Sequence, residues 1–177
     1  MTLEQELKEI IRDVADFPKE GIIFKDLTPV LLYPDLTRKV IDALANAIED
    51  KPDAIAAIES RGFWFGTLLA QKLNVPFIPL RKKGKLPGQT ESIHYDLEYG
   101  KATIEIHTGH VMKGWKVIVH DDLLATGGTA IAAAQLLEAQ GASIHSFSFL
   151  VNLTFLGAGA HFQKEYPAVP LTSLVNF

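Results

Sequence analysis

Leu3, Leu7, Ile10, Ile11 and Val14 recur at spacings of 4, 3, 1 and 3, which places them on one face of a helix. Asp16-Phe17-Pro18 predicts its end, because the residue before a proline avoids helical backbone. Leu36, Val40, Ile41, Leu44 and Ile48 repeat the pattern, and Lys51-Pro52 closes this second amphipathic helix. The periodicity then changes. Residues 54–58, 77–80 and 117–119 are short apolar runs without alternation, which suit strands buried on both faces of a parallel sheet. Residues 63–73 and 130–140 read as helices, and 144–151 and 171–175 as further strands. Strand and helix in alternation imply right-handed βαβ units, hence an α/β fold with a mainly parallel central sheet flanked by helices. A length of 177 residues suits a single domain, 1–177.

One segment breaks this rhythm. Residues 84–100 read GKLPGQTESIHYDLEYG, a polar connection too long for an ordinary turn and expected to be mobile or functional. It follows Arg81-Lys82-Lys83-Gly84-Lys85, a basic run just after a predicted strand. A solvated loop is the ordinary reading of such a run. Its position matters, because ligands of open α/β sheets sit beyond the carboxyl ends of strands.

Composition narrows the chemistry. The chain has no cysteine, which excludes disulfides, thiolate metal sites and cysteine nucleophiles. The net charge of −4 argues against a general nucleic-acid binder. No apolar run reaches the roughly 20 residues of a membrane span. The first residues, MTLEQELKEIIRD, lack the apolar stretch of a signal peptide. A cytoplasmic protein is expected.

The chemistry concentrates in VIVHDDLLATGGT, residues 117–129. A strand brings Asp121 and Asp122 to its carboxyl end, small residues and glycines make a turn, and a helix begins. Glycine lets backbone approach a ligand, and a helix N-terminus offers free N–H groups and a positive dipole end to phosphate. Thr126 and Thr129 add hydroxyl donors. Phosphate is therefore expected on the turn, and hydroxyl groups or a metal beside the acids. Neither a Walker A loop nor a Gly-x-Gly-x-x-Gly turn is present. An ordinary strand-to-helix turn with capping acids is the competing reading.

This segment resembles the phosphoribosyl-pyrophosphate-binding motif of type I phosphoribosyltransferases, and its LLATGGT ending resembles that of the adenine phosphoribosyltransferases. Asp16-Phe17-Pro18 with residues 21–26, Glu59-Ser60-Arg61-Gly62-Phe63, residues 81–88 and residues 97–102 are similar, in order, to further segments of that family. The resemblance implies the type I phosphoribosyltransferase fold, with a small hood and base-site segment at 1–34 and a mobile catalytic loop at 84–100. It implies transfer of the phosphoribosyl group from phosphoribosyl pyrophosphate to adenine, giving AMP and pyrophosphate, by a homodimer.

The implied roles follow the motifs. Ala125, Thr126, Gly127, Gly128 and Thr129 would cradle the 5′-phosphate. Asp121 and Asp122 would bind the ribose hydroxyls and favour the oxocarbenium character that develops as pyrophosphate leaves. Ser60, Arg61, Arg81, Lys82 and Lys85 would hold the pyrophosphate, Arg81 across a dimer interface. Ile23, Phe24, Lys25 and Leu153 would receive adenine. Glu98 would approach N7 of the base as an acid or an orienting group. Mg²⁺ would enter through substrate oxygens, with no dedicated protein ligands. His120, Glu59 and Asn152 depart from the family's commonest residues. His107 and His110 read as surface residues, Trp64 and Trp115 as core, and Gly62 and Gly66 as a close helix contact. A 6-oxopurine enzyme of the same fold, or a non-catalytic regulator that binds phosphoribosyl pyrophosphate, is the alternative.

Overall fold

The computed structural model describes residues 1–97 and 100–177. A capping box starts α1 (Leu3–Ile10): Gln5 N–H donates to Thr2 Oγ1 at 3.2 Å, and Thr2 N–H to Gln5 Oε1 at 2.9 Å. Leu7 and Ile11 are buried. The helix stops before Ile11, and the chain continues as β1 (Arg12–Ala15), antiparallel to β2 (Ile23–Asp26). Val14 is thus a strand residue, which corrects the expected longer helix. The physical reason is the register. Arg12 stands opposite Asp26 and Asp13 opposite Lys25, with ion-pair distances of 2.5 and 2.6 Å. Paired charges across the ladder, with Val14 opposite Phe24, outweigh a helical periodicity carried by few residues. Asp16-Phe17-Pro18 belongs to the hairpin turn, where the Asp16 carboxylate accepts the Gly21 N–H at 2.8 Å.

α2 (Pro34–Asn46) opens with proline in its first turn and buries Leu36, Val40, Ile41 and Leu44. β3 (Ala54–Ile58) is buried at every position, and its alanines let helices pack closely on it. α3 (Gly62–Leu73) and β4 (Phe77–Lys82) complete the first βαβ unit. The chain then departs from expectation again. The segment anticipated as one open loop contains β5 (Thr90–Leu97), which pairs antiparallel with β6 (Gly100–His107) over the strand's whole length. Residues 84–89 form the connection ahead of this hairpin. β7 (Lys116–Leu124), α4 (Gly128–Ala139), β8 (Ser143–Asn152), α5 (Ala158–Glu165) and β9 (Leu171–Asn176) follow.

The main sheet has seven strands in the order β5-β6-β4-β3-β7-β8-β9. β4, β3, β7, β8 and β9 are parallel, and the β5–β6 hairpin joins β4 in antiparallel sense. One face buries Val117, Val119, Phe147 and Phe149 with α4 and Phe162 of α5. The other buries Ile55, Ile118 and Leu150 with Leu7, Val40 and Phe65 of α1, α2 and α3. β3 leads into α3 on one face, and its neighbour β7 leads into α4 on the other. That divergence is a topological switch point, where open α/β sheets bind ligands.

Candidate active site

The turn after β7 is built for close approach. Gly127 has φ 89°, and a Cβ there would lie 2.7 Å from Phe162 Cε2. Both conformation and space therefore demand glycine. α5 braces the turn a second time, because a ring nitrogen of His161 lies 3.1 Å from the Thr126 carbonyl oxygen. Residues 123–130 with Asp121 and Phe149 line a hollow of about 80 Å³ at the start of α4. Free N–H groups and the positive dipole end at the start of α4 are features that favour an anion in such a hollow.

Asp121 and Asp122 end up on different sides of the sheet, because successive strand residues point to opposite faces. Asp121 faces the hollow and a larger cleft of about 500 Å³, whose lining includes Glu59, Lys82, Lys83, Tyr95, Thr103 and Thr129. It stays partly open to that cleft. Burial among its neighbours, with the Asp122 charge beside it, pushes its carboxyl well above the usual range. Asp122 is buried, and burial raises it too, although the Arg61 charge opposes the rise. Arg61 Nε lies 2.8 Å from Asp122 Oδ2. This is a contact of charge rather than an aligned hydrogen bond, since that oxygen lacks a hydrogen-bond donor among the described residues.

Arg61 also ties this acid to the hairpin of β1 and β2. It donates to the Lys25 carbonyl oxygen at 3.2 Å, and its guanidinium lies 4.7 Å from the centre of the Phe24 ring. Phe17 meets Phe24 edge to face, with ring centres 5.0 Å apart. Lys25 pairs with Asp13 and lies over the Phe177 ring. Ile23 is exposed, and Leu153 is buried behind the end of β7, its N–H donating to the Leu124 carbonyl at 2.9 Å.

The opposite wall is basic. Arg81 Nε pairs with Glu59 at 2.5 Å, and its Nη1 donates to the Lys85 carbonyl at 2.9 Å. Lys82, Lys85 and Ser60 are exposed, and the Glu59–Ser60 peptide is cis. Gly62, the first residue of α3, presses on β7: a Cβ would lie 2.8 Å from Asp121 Oδ1 and 3.2 Å from its Cα. A Cβ on Gly66 would lie 2.7 Å from Ala57 Cβ, so both glycines serve the close helix contact anticipated from their spacing.

Comparison with known proteins gives this geometry a family. Residues 30–158 match the phosphoribosyl transferase domain. A curated adenine phosphoribosyltransferase of Cytophaga hutchinsonii is 50% identical over 99% of this chain and 96% of its own. The chain belongs to the adenine phosphoribosyltransferases. The crystal structure of the adenine phosphoribosyltransferase of Thermoanaerobacter pseudethanolicus superposes with a TM-score of 0.92 at 47% identity, covering 99% of this chain and 100% of that one. The Saccharomyces cerevisiae enzyme, solved with an iminoalditol bisphosphate and adenine, superposes with a TM-score of 0.88 at 40% identity, covering 97% and 98%.

Against that family the structure gathers most of the anticipated residues around the switch point. The hollow at the phosphate turn and the cleft that holds Lys82 meet at Asp121 and Thr129, while Ser60 and Arg61 lie just before α3 and Arg81 lies in β4, outside the lining of both. Arg61 turns toward Asp122 and the hairpin, while Arg81 is engaged with Glu59 of its own chain. Glu98 lies outside the described residues. Sequence reading overlooked Lys83, Tyr95 and Thr103 in the cleft, and His161 and Phe162 beneath the turn. The last two stand far along the chain, with no local pattern to mark them. Lys83 was visible in the basic run.

Proposed function

We propose that the chain catalyses the purine-salvage reaction in which adenine and phosphoribosyl pyrophosphate give AMP and pyrophosphate. One observation carries this reading: the glycine turn and the acid pair occupy the switch point of a chain 50% identical to an adenine phosphoribosyltransferase along nearly its whole length. Its relatives carry that name consistently, so a 6-oxopurine enzyme or a regulator is not favoured.

In the reaction the bond from C1 of the ribose to the pyrophosphate oxygen breaks, N9 of adenine forms the new bond, and the imidazole proton that the base gives up passes to the departing pyrophosphate or to solvent. The turn 125–129 anchors the 5′-phosphate. Asp121 and Asp122 take the ribose hydroxyls, and their field favours positive charge at C1. Lys82, Lys85, Arg81 and the Ser60–Arg61 segment hold the departing pyrophosphate. Adenine lies by Phe24, with backbone groups of Ile23 and Lys25 reading its edge and Leu153 backing the pocket. Glu98 serves N7 as an acid or an orienting group.

Among the described residues no three His, Asp or Glu side chains converge as a metal site. Asp121 and Asp122 are hard oxygen donors that would suit a Mg²⁺ ion brought in on substrate oxygens. When bound, the ion neutralises charge on the leaving group. We further propose a cytoplasmic homodimer. The absence of cysteine suits a reducing compartment. Exposed Leu32, Tyr33 and Leu68 beside the groove of α2 and α3 suit contact with a second copy. No described helix is long and apolar enough to cross a membrane.

The test is direct. Pure protein with phosphoribosyl pyrophosphate and Mg²⁺ should convert adenine to AMP. Hypoxanthine and guanine should react at least ~100-fold less efficiently, as when a site's polar groups are left unpaired by the wrong edge. Comparable turnover of hypoxanthine would reject the adenine assignment.

A further inference from the structure

Glu105 is an acid in an unexpected place. It stands in β6 between Ile104 and Ile106 and is only 4% exposed. A buried carboxylate is costly unless it is paired or hydrogen-bonded. No cation pairs with it among the described residues. Its partners belong to the connection at 84–90 instead. Oε1 accepts the Lys85 N–H at 3.1 Å and the Leu86 N–H at 2.9 Å, and the Thr90 hydroxyl lies 3.5 Å from Oε2. Burial pushes the carboxyl up, but the N–H groups of Leu86, Gly84 and Lys85 with the Thr90 hydroxyl outweigh it and hold Glu105 below the ordinary glutamate range.

The peptide unit between Lys85 and Leu86 is therefore gripped at both ends. Its N–H goes to Glu105, and its C=O accepts from Arg81, which in turn pairs with Glu59. His107, two residues along the same strand, adds a contact of 2.9 Å between Nε2 and the Pro87 carbonyl. The backbone of the basic turn is fixed by these contacts, while the Lys82 and Lys85 side chains remain exposed.

We propose that Glu105 is a positioning residue for pyrophosphate: it locks the backbone of the basic turn so that Lys82 and Lys85 are held where the leaving group arrives. The proposal rests on the reading of that turn as the pyrophosphate-binding wall. Fixing the turn before substrate binds removes an ordering cost from binding and from the transition state.

The test compares Glu105→Gln, Glu105→Ala and Lys85→Ala. Glu105→Gln keeps the side chain's shape while removing its charge and one acceptor oxygen, so it supplies a folded protein should the alanine variant fail to fold. Both Glu105 variants should raise KM for phosphoribosyl pyrophosphate and the inhibition constant of pyrophosphate about 10- to 100-fold, the scale of misplacing a bound group. KM for adenine and the melting temperature of Glu105→Gln should stay close to those of the parent. Hydrogen exchange in the peptide containing Lys85 and Leu86 should accelerate, while β3 and β7 keep their protection. If Lys85→Ala raises KM for phosphoribosyl pyrophosphate and Glu105→Gln does not, the positioning role is overturned and the pyrophosphate wall stands. If neither variant affects it, the wall is wrong and the proposal falls with it. If Glu105→Gln disturbs adenine and phosphoribosyl pyrophosphate equally and lowers the melting temperature, Glu105 is a general structural residue and the positioning role is again overturned.

Discussion

Three consecutive residues of β7 show how much a single position can decide. His120 is fully buried against Gly66, with one ring nitrogen 3.3 Å from Ser148 Oγ and the other without a hydrogen-bond partner among the described residues. Burial pushes it from 6.5 down to about 4, the Ser148 contact opposing. The folded state therefore keeps a neutral imidazole while the unfolded chain takes up a proton below pH 6.5. Stability falls as pH drops from about 6.5 toward 4, by about 3 kcal/mol in all. His120→Val should flatten that part of the profile, measured as unfolding free energy against pH; an unchanged slope would assign the acid sensitivity elsewhere. Asp121 and Asp122 were legible as a pair, but not as a divided one. Asp121→Asn should lower kcat about 10²-fold or more by removing a field aimed at developing charge. Asp122→Asn should in addition raise KM for adenine, because Arg61 loses its anchor beside the hairpin that carries Phe24. Steady-state constants for both substrates check this, and identical profiles would contradict the division.

At the scale of elements, what the sequence disclosed depended on how local the cause was. β3, α3, α4 and the parallel strands follow from apolar runs and glycine turns, and all but β7 stand where the pattern placed them to within two residues at their ends. β7 is longer than its apolar run, because pairing with β8 carries it through both acids. The two hairpins were missed for a different reason. β1 and β2 are held by charges that meet only after residues 12–15 and 23–26 are brought together. β5 is polar and partly exposed, so its strand character comes from pairing with β6 rather than from its own side chains. That α3 packs closely was readable from Gly62 and Gly66, although not that β7 is a partner nor that Gly62 seats Asp121. Gly62→Ala should cost about 1–3 kcal/mol of stability, as overpacking does, and should lower kcat by displacing the Asp121 carboxylate. Thermal unfolding and single-turnover kinetics check the two effects. Full activity would show that α3 can shift without moving the acid.

For the whole molecule, the parallel strands and the helices on them form the body, the hairpin of β5 and β6 lines the cleft beside the switch point, and the hairpin of β1 and β2 meets Arg61 from another part of the chain. Composition and periodicity disclosed the body, and the family motifs disclosed the chemistry at its centre. Neither disclosed how the hairpin of β1 and β2 is fastened to the acids, because that link is one arginine side chain. Arg61 touches Asp122, the Lys25 carbonyl and the Phe24 ring at once. With adenine placed by Phe24 as proposed, an occupant that draws the guanidinium away from Asp122 would also alter the surface offered to the base, and affinity at one substrate position would depend on occupancy of the other. Such coupling is reciprocal by thermodynamic necessity: phosphoribosyl pyrophosphate changes the affinity for a non-reacting adenine analogue by the same factor as the analogue changes affinity for phosphoribosyl pyrophosphate. Arg61→Lys keeps the charge but loses the planar fork that serves three partners. In calorimetric titrations it should bring that factor close to one for both ligands, turning two conversing sites into two independent ones.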